Sequence, residues 1–115
     1  MATIFDVRDA LCALDGIDVY HFKAPEQRPN KFIIWAETEV NFTLEADDEP
    51  QAARPRGQIY YYTDAEYDSA VNDIIGSLID YGIGFNITNV GWDDMLRLIV
   101  YQIDWEVDCG TGEIY

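Results

Sequence analysis

Eight residues near the end of the chain constrain the fold more than any others. From Tyr101 to Asp108 the sequence alternates without a break. Tyr101, Ile103, Trp105 and Val107 point one way; Gln102, Asp104, Glu106 and Asp108 point the other. A period of two specifies a β-strand with one buried and one wet face. The wet face is a row of carboxylates, Asp104, Glu106 and Asp108, spaced about 7 Å apart by the strand rise. Paired carboxylates do acid–base chemistry when a pocket splits their environments. A flat row provides no such split, so it reads as a solvated sheet face or an acidic partner surface.

The rest of the chain supplies partners for that strand. Ile4, Val7, Leu11 and Leu14 recur at helical steps, predicting a helix from Thr3 to Leu14 with Thr3 as cap and Gly16 as stop. Ile17 to Lys23 reads as a strand, and a loop with Pro25 and Pro29 follows. Lys31 to Glu37 is a continuous apolar strand, which suggests a central position with both faces covered. Val40 to Leu44 extends it or forms a short strand. Glu45 to Gly57 is a polar connection, long for a compact domain, with Asp47, Asp48 and Glu49 ahead of Arg54 and Arg56. Gln58 to Thr63 is an aromatic strand. Thr63-Asp64-Ala65-Glu66 fits a capping box, and Tyr67, Ala70, Val71, Ile74, Ile75, Leu78 and Ile79 form the buried face of the helix it opens. Gly82 ends that helix. Ile83 to Val90, a turn at Gly91-Trp92-Asp93-Asp94, and Met95 to Asp108 complete an antiparallel hairpin. The expected fold is therefore a single α+β domain spanning residues 1–115. It has a mostly antiparallel or mixed sheet of about five strands, with two helices on one face.

The composition narrows the function. In 115 residues, 49% are hydrophobic, enough for a core, and the net charge is −15. Such a chain is repelled by nucleic-acid phosphate and by anionic membrane surfaces. No apolar run approaches the length of a membrane span, and the N-terminus lacks the pattern of a signal peptide. Cys12 reads as a small buried hydrophobe, and Cys12 and Cys109 lie too far apart in sequence to establish a disulfide, which favours a reduced, intracellular chain.

No reactive constellation emerges. His21 is the single histidine, with no nucleophile elbow or second histidine beside it. The Asp47-Asp48-Glu49 run lacks the spacing and central glycine of a calcium loop, and Gly82-Ile83-Gly84 follows a helix rather than preceding one, so it is not a phosphate cradle. No catalytic, cofactor or metal residues are expected, and the chain reads as a non-enzyme. Trp35 and Trp105 are expected in the core. Trp92 is expected to be exposed in its turn, as an interface anchor.

Several segments, in order, carry a family resemblance. They are the short N-terminal helix, the Pro-rich turn into Phe32-Ile33-Ile34-Trp35, and the polar stretch with Ala46-Asp47-Asp48 before the aromatic strand Ile59 to Thr63. The acid-capped helix ending in Tyr81-Gly82-Ile83-Gly84-Phe85 and a closing hairpin with Trp105 complete the series. This succession resembles the small tail-completion proteins of long-tailed phages, the tail-terminator and minor-tail family. It departs from that pattern at Asp64 and Glu66, where relatives carry lysines. The resemblance implies a structural protein of the virion tail, assembled in the bacterial cytoplasm. It implies a ring, commonly of six subunits, that stops tube growth and joins the tail tube to neck proteins while DNA passes unbound. An acidic lumen suits that role. The segregated loop, Asp47, Asp48, Glu49, Arg54 and Arg56, is then a candidate for a contact with the neighbouring subunit. Deleting Asp47 to Arg54 is expected to abolish oligomers. The alternative is an acidic nucleic-acid mimic that inhibits a DNA-binding partner, which requires evenly spaced charges on one face.

Overall fold

A computed structural model describes residues 4–27, 29–39 and 55–107. Its elements run α1 (Ile4–Cys12), β1 (Asp18–His21), β2 (Phe32–Glu39), β3 (Arg56–Thr63), α2 (Ala70–Asp80), β4 (Gly84–Asp93) and β5 (Leu98–Glu106). The five strands form one sheet in the order β1-β2-β3-β5-β4. β1 and β2 are parallel, and every other pair is antiparallel. The α+β class and the mixed five-stranded sheet are as expected.

Register explains the two faces. Residues paired across strands share a face. The rows Val19–Ile33–Tyr61–Tyr101 and Trp35–Ile59–Ile103 therefore lie on one side. Both helices cover that side: Val7, Ala10 and Leu11 of α1 and Ile74 and Leu78 of α2 join Ile33, Trp35, Ile59, Tyr61, Ile103 and Trp105 in one core. The Ser77 hydroxyl on α2 donates to the Ala10 carbonyl of α1 at 2.6 Å, tying the helices together. Trp35 and Trp105 are both buried, with ring centroids 6.2 Å apart. Gly57 sits beneath them. A Cβ there would lie 2.0 Å from the Ala36 carbonyl oxygen and 2.6 Å from the Trp105 ring, so only glycine lets β3 pass.

The structure corrects several expectations. β2 is interior in the sheet, but Ile34 and Ala36 are half-buried on the side without helices, so only one of its faces is covered. A continuous apolar run fits a one-sided sheet here because the uncovered face is itself aromatic: Phe32 stacks on Tyr62 at 4.7 Å and meets Tyr20 edge-on at 6.3 Å. Cys12 is exposed, because α1 presents Val7, Ala10 and Leu11 to the sheet and its last residue turns away. Thr3 lies outside the described residues.

The second helix starts later than the capping box implies. Thr63 Oγ1 accepts the Ala65 amide in a local turn instead of opening a helix. α2 begins at Ala70, whose amide is taken by the Asp68 carboxylate at 2.9 Å. Tyr67 consequently lies before the helix, with φ +53°, and is 97% exposed; Ile79 is also exposed. The end of α2 matches the expected glycine stop. Gly82 has φ +73°, its amide donates to Ile79, and the Ile83 amide reaches back to Leu78, the paired bonds of a Schellman motif.

The final hairpin turns at residues 94–97 rather than at Gly91 to Asp94. Asp93 Oδ1 accepts the amides of Met95 and Leu96, and the Arg97 amide donates to the Asp93 carbonyl at 2.7 Å. Gly91 and Trp92 remain in β4, opposite Val100 and Ile99. The Asp93 side chain, which holds two turn amides itself, fixes the reversal directly after Asp93 rather than at Gly91.

Candidate assembly surfaces

The predicted acidic row lies on the face without helices, at one end of the sheet. Gln58 pairs with Asp104, which pairs with Asn86; Arg56 pairs with Glu106, which pairs with Gly84. Asp104 is half-buried and Glu106 exposed. The register therefore keeps the acidic row one strand wide. Arg56 stands across from Glu106, and neutral amides flank Asp104. An open cleft of about 620 Å³ runs along this end, bordered by Thr38, Gln58, Gly84, Asn86 and Glu106. Asp104 and Trp105 also line it, and each holds a buried polar atom, Oδ1 and Nε1, with no hydrogen-bond partner among the described residues. Of the other candidate residues, Asp47, Asp48, Glu49, Arg54 and Asp108 lie outside the described residues.

Trp92 belongs to a different surface. Its partner Ile99 is seven residues along β5 from Glu106, about 24 Å at the usual strand rise. β4 is an edge of the sheet. Its pairing slips between Ile87 and Asn89, a bulge that leaves Thr88 without a partner in the β5 ladder. The extra residue resets the alternation, so Ile87 and Val90, three apart, project from the same face, together with Trp92. These side chains are 40%, 53% and 59% exposed. Met95 at the hairpin tip is exposed as well. Twelve consecutive residues, Tyr81 to Trp92, carry no formal charge in a chain of net charge −15.

Two polar clusters support the scaffold, and neither was singled out as a site from sequence. The first centres on Asp68, whose side chain is 6% exposed. Its carboxylate accepts the Thr63 hydroxyl at 2.6 Å, the Tyr61 hydroxyl at 2.7 Å and the Ala70 amide, and pairs with Lys31 Nζ at 3.3 Å. Burial disfavours its charge, but the hydrogen bonds from Thr63, Ala70, Tyr61 and Lys31 outweigh that cost and hold its pKa at about 2. Burial first, and then the bond to Asp68, push the Tyr61 phenol up. The cluster joins β3 to the starts of β2 and α2. The signal available in the sequence was an aspartate two residues ahead of a helix.

In the second cluster His21, at the end of β1, stacks between Trp35 at 4.1 Å and Phe22 at 4.3 Å, and its Nε2 bonds the Glu37 carboxylate. Phe22 is exposed and held at φ +72°, with its amide donating to the Trp35 carbonyl. His21 thus braces the β1 edge, in keeping with a structural histidine. Among the described residues no group of three His, Cys, Asp or Glu side chains is placed to hold a metal, and no helix is long and apolar enough to cross a membrane.

No protein-family model matches the chain, and no curated protein matches it. Among solved structures, a chain from the virion of a native gene transfer agent particle is similar in fold, with a TM-score of 0.63. The two are 14% identical in sequence, and the alignment covers 93% of each chain. The likeness thus extends over nearly the whole architecture, helices and sheet together.

Proposed function

We propose that this chain is a structural protein of a phage-like virion. Within that role we infer a tail-completion function: a homo-oligomeric ring, six subunits by the family resemblance, that caps the tail tube, stops its growth and joins it to neck proteins. One observation carries the reading. The sheet ends in an edge strand, β4, whose exposed apolar row and uncharged run from Gly84 to Trp92 suit protein–protein contact. The fold shared with a gene transfer agent virion chain supports it, as does the acidic balance, which lets DNA pass without adhering. In this reading the protein forms in the bacterial cytoplasm and ends in the virion tail, with no cofactor and no catalytic role.

The mimic reading fares worse. Inhibitory mimicry needs an evenly spaced acidic face, and on the described face the acidic row is one strand wide, with Arg56, Gln58 and Asn86 on the strands beside it. The test is native mass by light scattering across concentration, with negative-stain imaging. A closed ring near six subunits is the expected result. A monomer that instead captures basic DNA-binding proteins in a salt-sensitive manner would overturn the proposal.

A further inference from the structure

We propose that copies of this chain join laterally through β4 of one subunit and β1 of the next, extending the sheet as an antiparallel ladder; this rests on the ring reading above. Strand directions carry the geometry. With β1 taken as up, β2 is up, β3 down, β5 up and β4 down. The two edge strands of the sheet, β1 and β4, therefore run in opposite directions. If a second copy is placed beside the first with its sheet facing the same way, β4 meets the neighbour's β1 antiparallel. Such a head-to-tail contact uses two different surfaces, the kind that closes a ring when the rotation per subunit is right.

Charge points to a second copy as the occupant. Edge strands are normally protected from pairing by charged side chains, prolines or bulges. From Gly84 to Trp92, β4 has no charge and no proline. Its bulge lies at Thr88 and leaves Asn89 to Asp93 in regular pairing with β5. A basic partner would gain most on the acidic surfaces. An uncharged strip is where two copies of net charge −15 approach at least electrostatic cost. The β1 edge is similar: between Gly16 and Phe22 only Asp18 is charged. The strands also match in register: with Val19 opposite Val90, Tyr20 meets Asn89 and Asp18 meets Gly91, so Asp18 does not face Asp93 directly.

Side chains extend the match. Val90 and Trp92 project from the helix-bearing face of β4, and Val19 and His21 from the same face of β1. In the joined sheet these four side chains lie together, with exposed Phe22 at the seam. Trp92 is the kind of aromatic anchor that dominates interface energies.

Cysteine cross-linking tests this on the full chain, with Cys12 and Cys109 changed to serine. Copies carrying Val19→Cys are mixed with copies carrying Val90→Cys or Trp92→Cys and oxidised. The expected result is cross-linked dimers in at least one mixture and none from any single variant. Rings seen by light scattering without mixed cross-links would overturn this inference alone and leave the ring reading standing. Self-cross-linking of the β4 variants would replace it with a two-fold β4–β4 contact. Monomers with no cross-link would remove both. In parallel, Trp92→Lys, at an exposed position, is expected to weaken association at least 10-fold with an unchanged circular dichroism spectrum; unchanged association would overturn the proposal.

Discussion

The middle of the sheet and its β4 edge are built from the same kinds of residue but treated oppositely. In the middle, Trp35, Ile59, Ile103 and Trp105 are sealed beneath two helices. At the edge, Ile87, Val90 and Trp92 project from the same face and remain exposed. The difference teaches that hydrophobicity alone does not mark a core. The central strands have neighbours on both sides and helices above, so their apolar atoms leave water on folding. β4 has a neighbour on one side only, so its apolar atoms stay in contact with water. Polar groups follow the same division. Asp68, just ahead of α2, has both carboxylate oxygens engaged, whereas the polar rows at the cleft end leave Asp104 Oδ1 without a partner among the described residues.

That contrast can be broken at either end. The largest effect is expected from Trp105→Ala, which empties the space between Trp35 and Gly57. It should cost about 3–5 kcal/mol, a large share of the whole stability, read as a strongly lowered urea midpoint. Gly57→Ala comes next. Its methyl group collides with a backbone carbonyl and a buried indole, and an overpacking cost of about 1–3 kcal/mol should appear as a lower denaturation midpoint. If Gly57→Ala were neutral, the close passage of β3 beneath Trp105 would be wrong.

Asp68 sharpens the comparison through pH. Its folded pKa of about 2 lies below the ordinary value of 3.8, so the folded state favours the ionised carboxylate. The stability it adds, about 2 kcal/mol, is fully present above the ordinary value and is lost as pH falls from there through the folded value. Asp68→Asn should flatten that part of the acid-unfolding profile; an identical profile would show that the cluster does not act as described. The smallest folding effect is expected from Trp92→Ala, within about 0.5 kcal/mol of the parent. A large loss of stability there would place Trp92 in the core and erase the difference between the two regions.

Much of this was legible in the chain. The alternation of Tyr101 to Val107 identified the inward face of β5, and Ile103, Trp105 and Val107 are buried there. The Gly82 stop was legible because φ +73° suits glycine. The start of α2 was not. Thr63 and Glu66 satisfy the local rule for a cap, but Thr63 donates its hydroxyl to Asp68, a contact across five residues that also recruits Tyr61 and Lys31. The hairpin turn was misplaced for a related reason: glycine and aspartate clusters mark turns only locally, and pairing with Ile99 and Val100 kept Gly91 and Trp92 in the strand. Of the candidate surface residues, Trp92 is exposed but in a strand, and Arg56 and Glu106 face each other across strands, a pairing invisible at fifty residues' separation.

The sequence by itself determined the element types, the apolar stripes and the strong negative charge, because periodicity, capping and ionisation act over a few residues at a time. Only the tertiary structure decided strand order, the parallel β1–β2 pair, and which apolar row stays exposed. Those depend on which strand lies beside which, and a strand's pattern of side chains is the same whether it is placed in the middle of a sheet or at its edge.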